Sequence, residues 1–270
     1  MRRRLAVAII ALVFISGVAG LEACKKGGGL NIFTIQDDKD LGLKMEQEIA
    51  ANPQEYPLLD PVQYASAYAY LDNIKLQILN SGKMQHASDF DWKLHIIHND
   101  TVLNAFCTPG GYIYVYSGLI KYLDNASSLA GVLGHEMAHA DQRHSTKQLT
   151  EQYGIATLLE VVLGKDQNTL TDIAANLTIL AFSRSDESDA DTHSVIYLCP
   201  TQYRADGAAD FFQKIVNSGA QQPPAFLSTH PNPDNRIANL HAKESELGCN
   251  NTPSNQVELT DYAAFKNSLP

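Results

Sequence analysis

Leu129-Ala-Gly-Val-Leu-Gly-His135-Glu-Met-Ala-His139 is the stretch on which the reading of this chain turns. It lies in a helical pattern running from Ser127 to about His144. Residues four apart on a helix share a face, so the imidazoles of His135 and His139 can meet at one metal ion. Glu136, one residue past the first imidazole, can reach a water held by that ion. Two histidines do not complete a catalytic zinc site, which takes three protein ligands and leaves the fourth position to water.

A third ligand in the H-E-x-x-H-x-x-G-x-x-H pattern needs Gly at 142 and His at 145, where this chain has Gln142 and Ser145. The remaining solution is a carboxylate from a later helix. Ser183-Arg-Ser-Asp-Glu-Ser-Asp-Ala-Asp191 supplies Glu187, with Asp191 one turn on. The ligand set is then His135, His139 and Glu187 around one Zn2+ per chain. Asp191, on the same helix face, is suited to accept a hydrogen bond from the far nitrogen of a ligating histidine. For His144, beside Arg143 at the end of the motif helix, favourable interaction with the helix C-terminus is explanation enough. His86, His193 and His241 read as surface residues, and His95 and His98 as strand residues.

Outward from this centre, the pattern predicts an α+β domain, mostly helical, with one small β-sheet. Asp38 to Ala51 reads as a surface helix, and Val62 to Leu79 as an amphipathic helix ending at Ser81-Gly82. Trp92 to His98 and Ala105 to Tyr116 read as strands, the second turning at Pro109-Gly110-Gly111. Further helical patterns run from Lys147 to Leu163, Leu170 to Leu198 and Asp206 to Val216. The apolar runs Tyr153–Leu163 and Ala174–Phe182 are too short to cross a bilayer. The folded domain is expected over residues 37–250, followed by a C-terminal tail, 251–270.

Met1-Arg-Arg-Arg4 followed by the uncharged apolar run Leu5–Val18 has the form of a signal peptide, residues 1–23, with an uncleaved anchor as the alternative. Leu21-Glu-Ala-Cys24 resembles a lipobox, in which Cys24 carries lipid, although Glu22 departs from the small or apolar residue usual there. Residues 24–36, with Lys25-Lys-Gly-Gly-Gly29, then form a lipid anchor and flexible tether. Loss of residues 1–23 removes three arginines and one glutamate from a chain of formal net charge −10, leaving an acidic body unsuited to nucleic acid. Export permits a disulfide. Cys199 and Cys249 form the preferred pair and Cys107 a thiol, with three unpaired thiols as the alternative.

With these residues in place, the chain resembles the CAAX prenyl endopeptidase type of zinc metallopeptidases, peptidase family M48, whose signature is H-E-x-x-H followed by E-x-x-A-D. Glu187-Ser-Asp-Ala-Asp191 matches the second element at every specified position. The resemblance extends to Asn104-Ala-Phe106, Pro109 to Val115, Gly118-Leu119 and Thr229-His-Pro-Asn-Pro-Asp-Asn-Arg-Ile237, across roughly residues 40 to 245. Ser128 and Cys107 depart from residues common in relatives, and neither removes a catalytic group. The resemblance implies a zincin-like, gluzincin-type domain. It implies that the strand holding Gly111, Ile113 and Val115 is an edge on which an extended substrate docks. It further implies that His230 or Arg236 approaches the metal, either of them able to donate to an oxyanion, and that His230 can occupy the open zinc position. The branch resembled is exported, on the periplasmic side of a bacterial envelope, and cuts protein or peptide substrates. Two other readings stay open: an envelope chaperone that binds extended chains in the same groove without cutting them, and a peptidase held latent by His230.

Overall fold

The computed structural model describes residues 31–218, 225–231 and 235–270. The signal segment 1–23, Cys24, the tether up to residue 30, and residues 232–234 of the Thr229–Ile237 stretch lie outside the described residues.

Helix α1 (Ile35–Ala51) starts at a reciprocal cap, Thr34 and Asp37 each accepting from the other's backbone N–H. It buries Leu41, Met45 and Ile49. Helix α2 (Ala65–Leu79) buries Ala67, Leu71, Ile74 and Ile78 at the three- and four-residue spacing of one helix face.

Three short strands follow: β1 (Lys93–Ile97), β2 (Ala105–Thr108) and β3 (Tyr112–Tyr116). The hairpin between β2 and β3 turns at Pro109–Gly111, with Gly110 at φ 77°, a backbone region open to glycine at no steric cost. The sheet order is β1-β3-β2, with β3 parallel to β1 and antiparallel to β2. The strand expected to be an edge is therefore central. Both sides of β3 are already paired, which leaves Ile113 and Val115 buried and unable to accept an added strand, and Gly111 is buried in the turn before it.

Alternation along β3 divides the interior. Ile113 and Val115 join α2 and the metal-motif helix in one apolar cluster, whereas Tyr112, Tyr114 and Tyr116 face a second cluster with α1. Both faces of the sheet are covered, so its strands read as almost continuously apolar.

After α3 (Ser117–Tyr122), Asn125 caps the motif helix α4 (Ala126–Asp141), every residue of which is buried. Its chief neighbour is α8 (Arg184–Leu198), packed so closely that a Cβ at Gly134 would come within 2.7 Å of Ser194 Oγ. Between them run α5 (His144–Tyr153), α6 (Ile155–Val162) and α7 (Gln167–Asn176). The single helix expected over 147–163 is broken by Gly154, at φ 82°. That expected over 170–198 is two helices, because the Ser183 side chain accepts from Asp186 N–H and starts α8 afresh.

The C-terminal part holds α9 (Ala208–Ser218), α10 (Ala225–Thr229), α11 (Arg236–Leu247), a π-helical turn at Gln256–Thr260 and α12 (Asp261–Lys266). Residues 251–270, expected as a tail, bury Tyr262, Phe265 and Leu269 in the main core, and the Tyr262 hydroxyl donates to Ile120 O at 2.6 Å. A disulfide joins Cys199, at the end of α8, to Cys249, just past α11, and Cys107 is a buried thiol. The described residues from Phe33 on pack as one unit, mostly helical around the three-stranded sheet. Among the described residues, no helix is long and apolar enough to cross a membrane.

Candidate metal centre

One turn of α4 places His135 Nε2 and His139 Nε2 3.0 Å apart. From α8, Glu187 reaches across the close helix contact, with Oε1 3.2 Å from His139 Nε2 and Oε2 3.4 Å from His135 Nε2. His230, which follows α10, completes the group, its Nδ1 3.0 Å from Glu187 Oε1 and 3.3 Å from His135 Nε2. One ligand atom from each of these four side chains lies within 4.8 Å of the others, and all four are buried. Imidazole nitrogens and a carboxylate oxygen converging away from water form the donor set that suits zinc.

Glu136 stands beside this cluster, fully buried, and neither of its carboxylate oxygens has a hydrogen-bond partner. His230 Nε2 lies 3.4 Å from Glu136 Oε1. Burial pushes the Glu136 carboxyl above its ordinary range, only partly offset by His230 and His135. A carboxylate buried without a hydrogen bond is costly, and a raised pKa beside the ligand cluster suits a group that takes a proton from water.

The two ligand imidazoles differ. Burial holds His139 well below its usual pKa and hence neutral, the form that binds metal. At His135, burial and Arg236 act in the same direction but are outweighed by Glu187 and Asp191, so its pKa rises to about 9. Burial would raise the Glu187 carboxyl as well, yet His230 and His135 reverse this and hold it well below the usual range.

Asp191 Oδ1 lies 2.9 Å from His135 Nδ1. Arg236 donates to the same carboxylate through one terminal nitrogen, 2.7 Å from Oδ1, and pairs with it through Nε, at ion-pair distance 2.6 Å from Oδ2. Its other terminal nitrogen is 3.1 Å from Glu187 Oε2, and the guanidinium lies over the Phe212 ring at 4.0 Å. The structure thus brings Arg236 to the centre with its donors engaged on two carboxylates, an arrangement that orients ligands. Both candidate oxyanion donors keep nitrogens without a hydrogen bond, Nε2 of His230 and two nitrogens of Arg236, but those of Arg236 lie at ion-pair distance from Asp191 and Glu187, whereas His230 Nε2 faces Glu136 Oε1 at 3.4 Å.

Three residues at the centre were not singled out from the sequence. His144, assigned to the motif helix end, instead opens α5 after Arg143 turns the chain at φ 61°, and its Nδ1 lies 3.1 Å from His139 Nδ1. Asp189, inside the second motif element, is 3.3 Å from His144 Nε2. Phe182 stacks on the His139 ring at 3.7 Å. No helical period carries His144 across the left-handed turn, so its spacing from His139 held no signal.

A second group, Asp206, His241 and Glu244, also offers ligand atoms, with His241 exposed. There Arg204 already pairs with Asp206 Oδ1 at 3.1 and 3.0 Å, and His241 Nδ1 meets Oδ2 at 2.7 Å.

Residues 66–244 match the sequence profile of Peptidase family M48. Among curated proteins, the chain is 30% identical over 197 residues to the "Beta-barrel assembly-enhancing protease" of Yersinia pestis, covering 65% of this chain and 40% of that protein. It is 30% identical over 169 residues to the "Mitochondrial metalloendopeptidase OMA1" of Arabidopsis thaliana, 60% of this chain and 34% of that one. With the protein of that name from Schizosaccharomyces pombe it shares 26% over 238 residues, 79% of this chain and 68% of that one. The chain thus spans well under half the length of the first two.

Proposed function

The chain belongs to peptidase family M48, and we propose that it is a zinc metalloendopeptidase that hydrolyses peptide bonds of extended or misfolded cell-envelope proteins. The observation that carries this reading is the convergence of His135, His139 and Glu187 beside Glu136, a fully buried carboxylate without a hydrogen bond. His135, His139 and Glu187 would hold the zinc. Bound there, zinc supplies Lewis acidity and lowers the pKa of a water molecule. Glu136 accepts a proton from the attacking water and returns it to the leaving amine. Arg236 and Asp191 fix the His135 ring, and His230 Nε2 is placed to donate to a developing oxyanion.

We place the extended substrate along β2, which among the described residues is paired on one side only. The carbonyl of Leu103, just before β2, accepts from Phe226 N–H at 3.0 Å, so this margin of the sheet takes a main-chain partner. The envelope setting rests on the exported form of residues 1–23 and on the relatives named as beta-barrel assembly-enhancing proteases. Lipid at Cys24 would hold the protein to a membrane on its periplasmic side.

A latent form is favoured by one feature: His230 lies fully buried within ligand distance of the group, carried by the segment that donates to Leu103. Substitution His230→Ala would then raise a low basal activity.

The test is cleavage of unfolded casein by the purified protein and by Glu136→Gln, with zinc content determined for both. Cleavage by the unaltered protein alone, with zinc in both, is the expected result. Zinc in both without cleavage by either shifts the reading to the latent enzyme or to a chaperone that binds without cutting. Absence of zinc from both sinks the site.

A further inference from the structure

His139 turns Nε2 toward His135 and Glu187, at 3.0 and 3.2 Å, so that nitrogen is the one presented to a metal. A nitrogen that ligates a cation does so through its lone pair, which places the proton of the neutral ring on Nδ1. That N–H points at His144 Nδ1, 3.1 Å away. To accept it, His144 must carry its own proton on Nε2, and His144 Nε2 faces Asp189 Oδ2 at 3.3 Å. One tautomer of each ring satisfies both contacts. The opposite tautomer of His144 would set two N–H groups against each other and turn a lone pair toward a carboxylate. Asp189 therefore selects the tautomer of His144, and His144 selects that of His139.

The surroundings leave this task to the hydrogen bond. Phe182, stacked on His139 at 3.7 Å, fixes the plane of the ring and not its rotation within the plane. His144 is itself buried at 7% exposure, and the neighbouring Asp186, 3.8 Å from His144 Nε2, is held by Lys147 Nζ at 2.7 Å. On the other ligand a carboxylate of α8 does the work directly, Asp191 against His135 Nδ1. On His139 an imidazole stands between.

We infer that His144 is a positioning residue for the metal: it relays the Asp189 carboxylate to His139 and fixes the ligand's tautomer and orientation. This inference rests on the metal-site reading above, and its test separates the two.

Zinc affinity would be measured by chelator competition, together with the visible spectrum of the cobalt(II)-substituted protein, for the full chain and for His144→Ala, His144→Asn and Asp189→Asn. The His144→Ala variant should lose about 10- to 100-fold in zinc affinity, the range for residues that orient a ligand, and shift the cobalt bands. The His144→Asn variant retains a side-chain acceptor close to the position of Nδ1 and should recover most of the loss. Asp189 has a side chain 44% exposed, so Asp189→Asn leaves packing intact and should show a smaller loss with the same spectral trend. Zinc bound as tightly by His144→Ala and Asp189→Asn as by the unaltered protein, with unchanged cobalt spectra, overturns the relay and leaves the metal site standing. An equal loss in His144→Ala and His144→Asn also overturns it, since packing alone would explain that result. If the unaltered protein binds no zinc, the metal-site reading fails and the relay falls with it.

Discussion

His135 and His139 sit one helical turn apart on α4, and the protein supports them with different chemistry. Around His135 the support is charged and buried: Asp191 meets the ring, and Arg236 pairs with both Asp191 and Glu187 under the cover of α11. Around His139 it is aromatic and hydrogen-bonded: Phe182 on the ring face, His144 at the ring edge and a half-exposed Asp189 behind. A carboxylate can be buried where a second helix brings a guanidinium to neutralise it. Beyond the end of α4 the cation that α5 brings, Lys147, is taken by Asp186, and an imidazole carries the interaction outward to a carboxylate that water still reaches. Removing a partner from a buried ion pair costs far more than removing a neutral hydrogen-bond partner, so the two flanks should fail differently.

The largest effect is expected from Arg236→Ala, which leaves Glu187 and Asp191 buried without their cation. Urea unfolding of the zinc-free protein should show a loss of about 3–5 kcal/mol. Zinc should restore part of it by supplying positive charge beside Glu187. A zinc-free loss as small as that of His144→Ala would break the distinction between the flanks.

Next is the disulfide, which ties the end of α8 to the second residue after α11, the two helices that supply Glu187, Asp191 and Arg236. Replacing both Cys199 and Cys249 by serine should cost about 2–4 kcal/mol in the same experiment. The comparison is sharpened if the double variant lowers protection of Arg236 from guanidine-directed reagents while His144 keeps its NMR shifts.

The smallest effect belongs to Phe182→Leu, which keeps an apolar side chain and removes the stack on His139. About 1 kcal/mol is expected, the typical worth of an aromatic pair beyond its area. A loss several times larger, read by thermal unfolding, would mean that the His139 flank depends on packing more than on the His144 contact.

What was legible in the sequence follows from what is local. His135, Glu136 and His139 could be placed because helical geometry decides which residues share a face, and Glu187 with Asp191 because they repeat that spacing. The break before α8 was hidden by the apolar residues of 174–182, although Ser183 followed by Asp186 is the pattern of a helix start. The central place of β3 was not legible, since Ile113 and Val115 alternate with tyrosines alike in an edge strand and in one covered on both faces. Strand order is settled by partners far along the chain. Likewise the asparagines of 250–255 made the last segment look like a tail, while Tyr262 and Phe265 find their cavity only once α2 is in place.

The position of β3 between two partners has a consequence on the timescale of amide exchange. One apolar cluster closes over its Ile113–Val115 face and another over its tyrosines, so separating either cluster alone leaves the strand protected. Its amides should exchange only through global unfolding and report the full stability of the domain, whereas those of the short α10, beside His230, should exchange through local fluctuation. A bound metal would then slow both populations of amides, the first by stabilising the whole and the second by holding one turn of chain still.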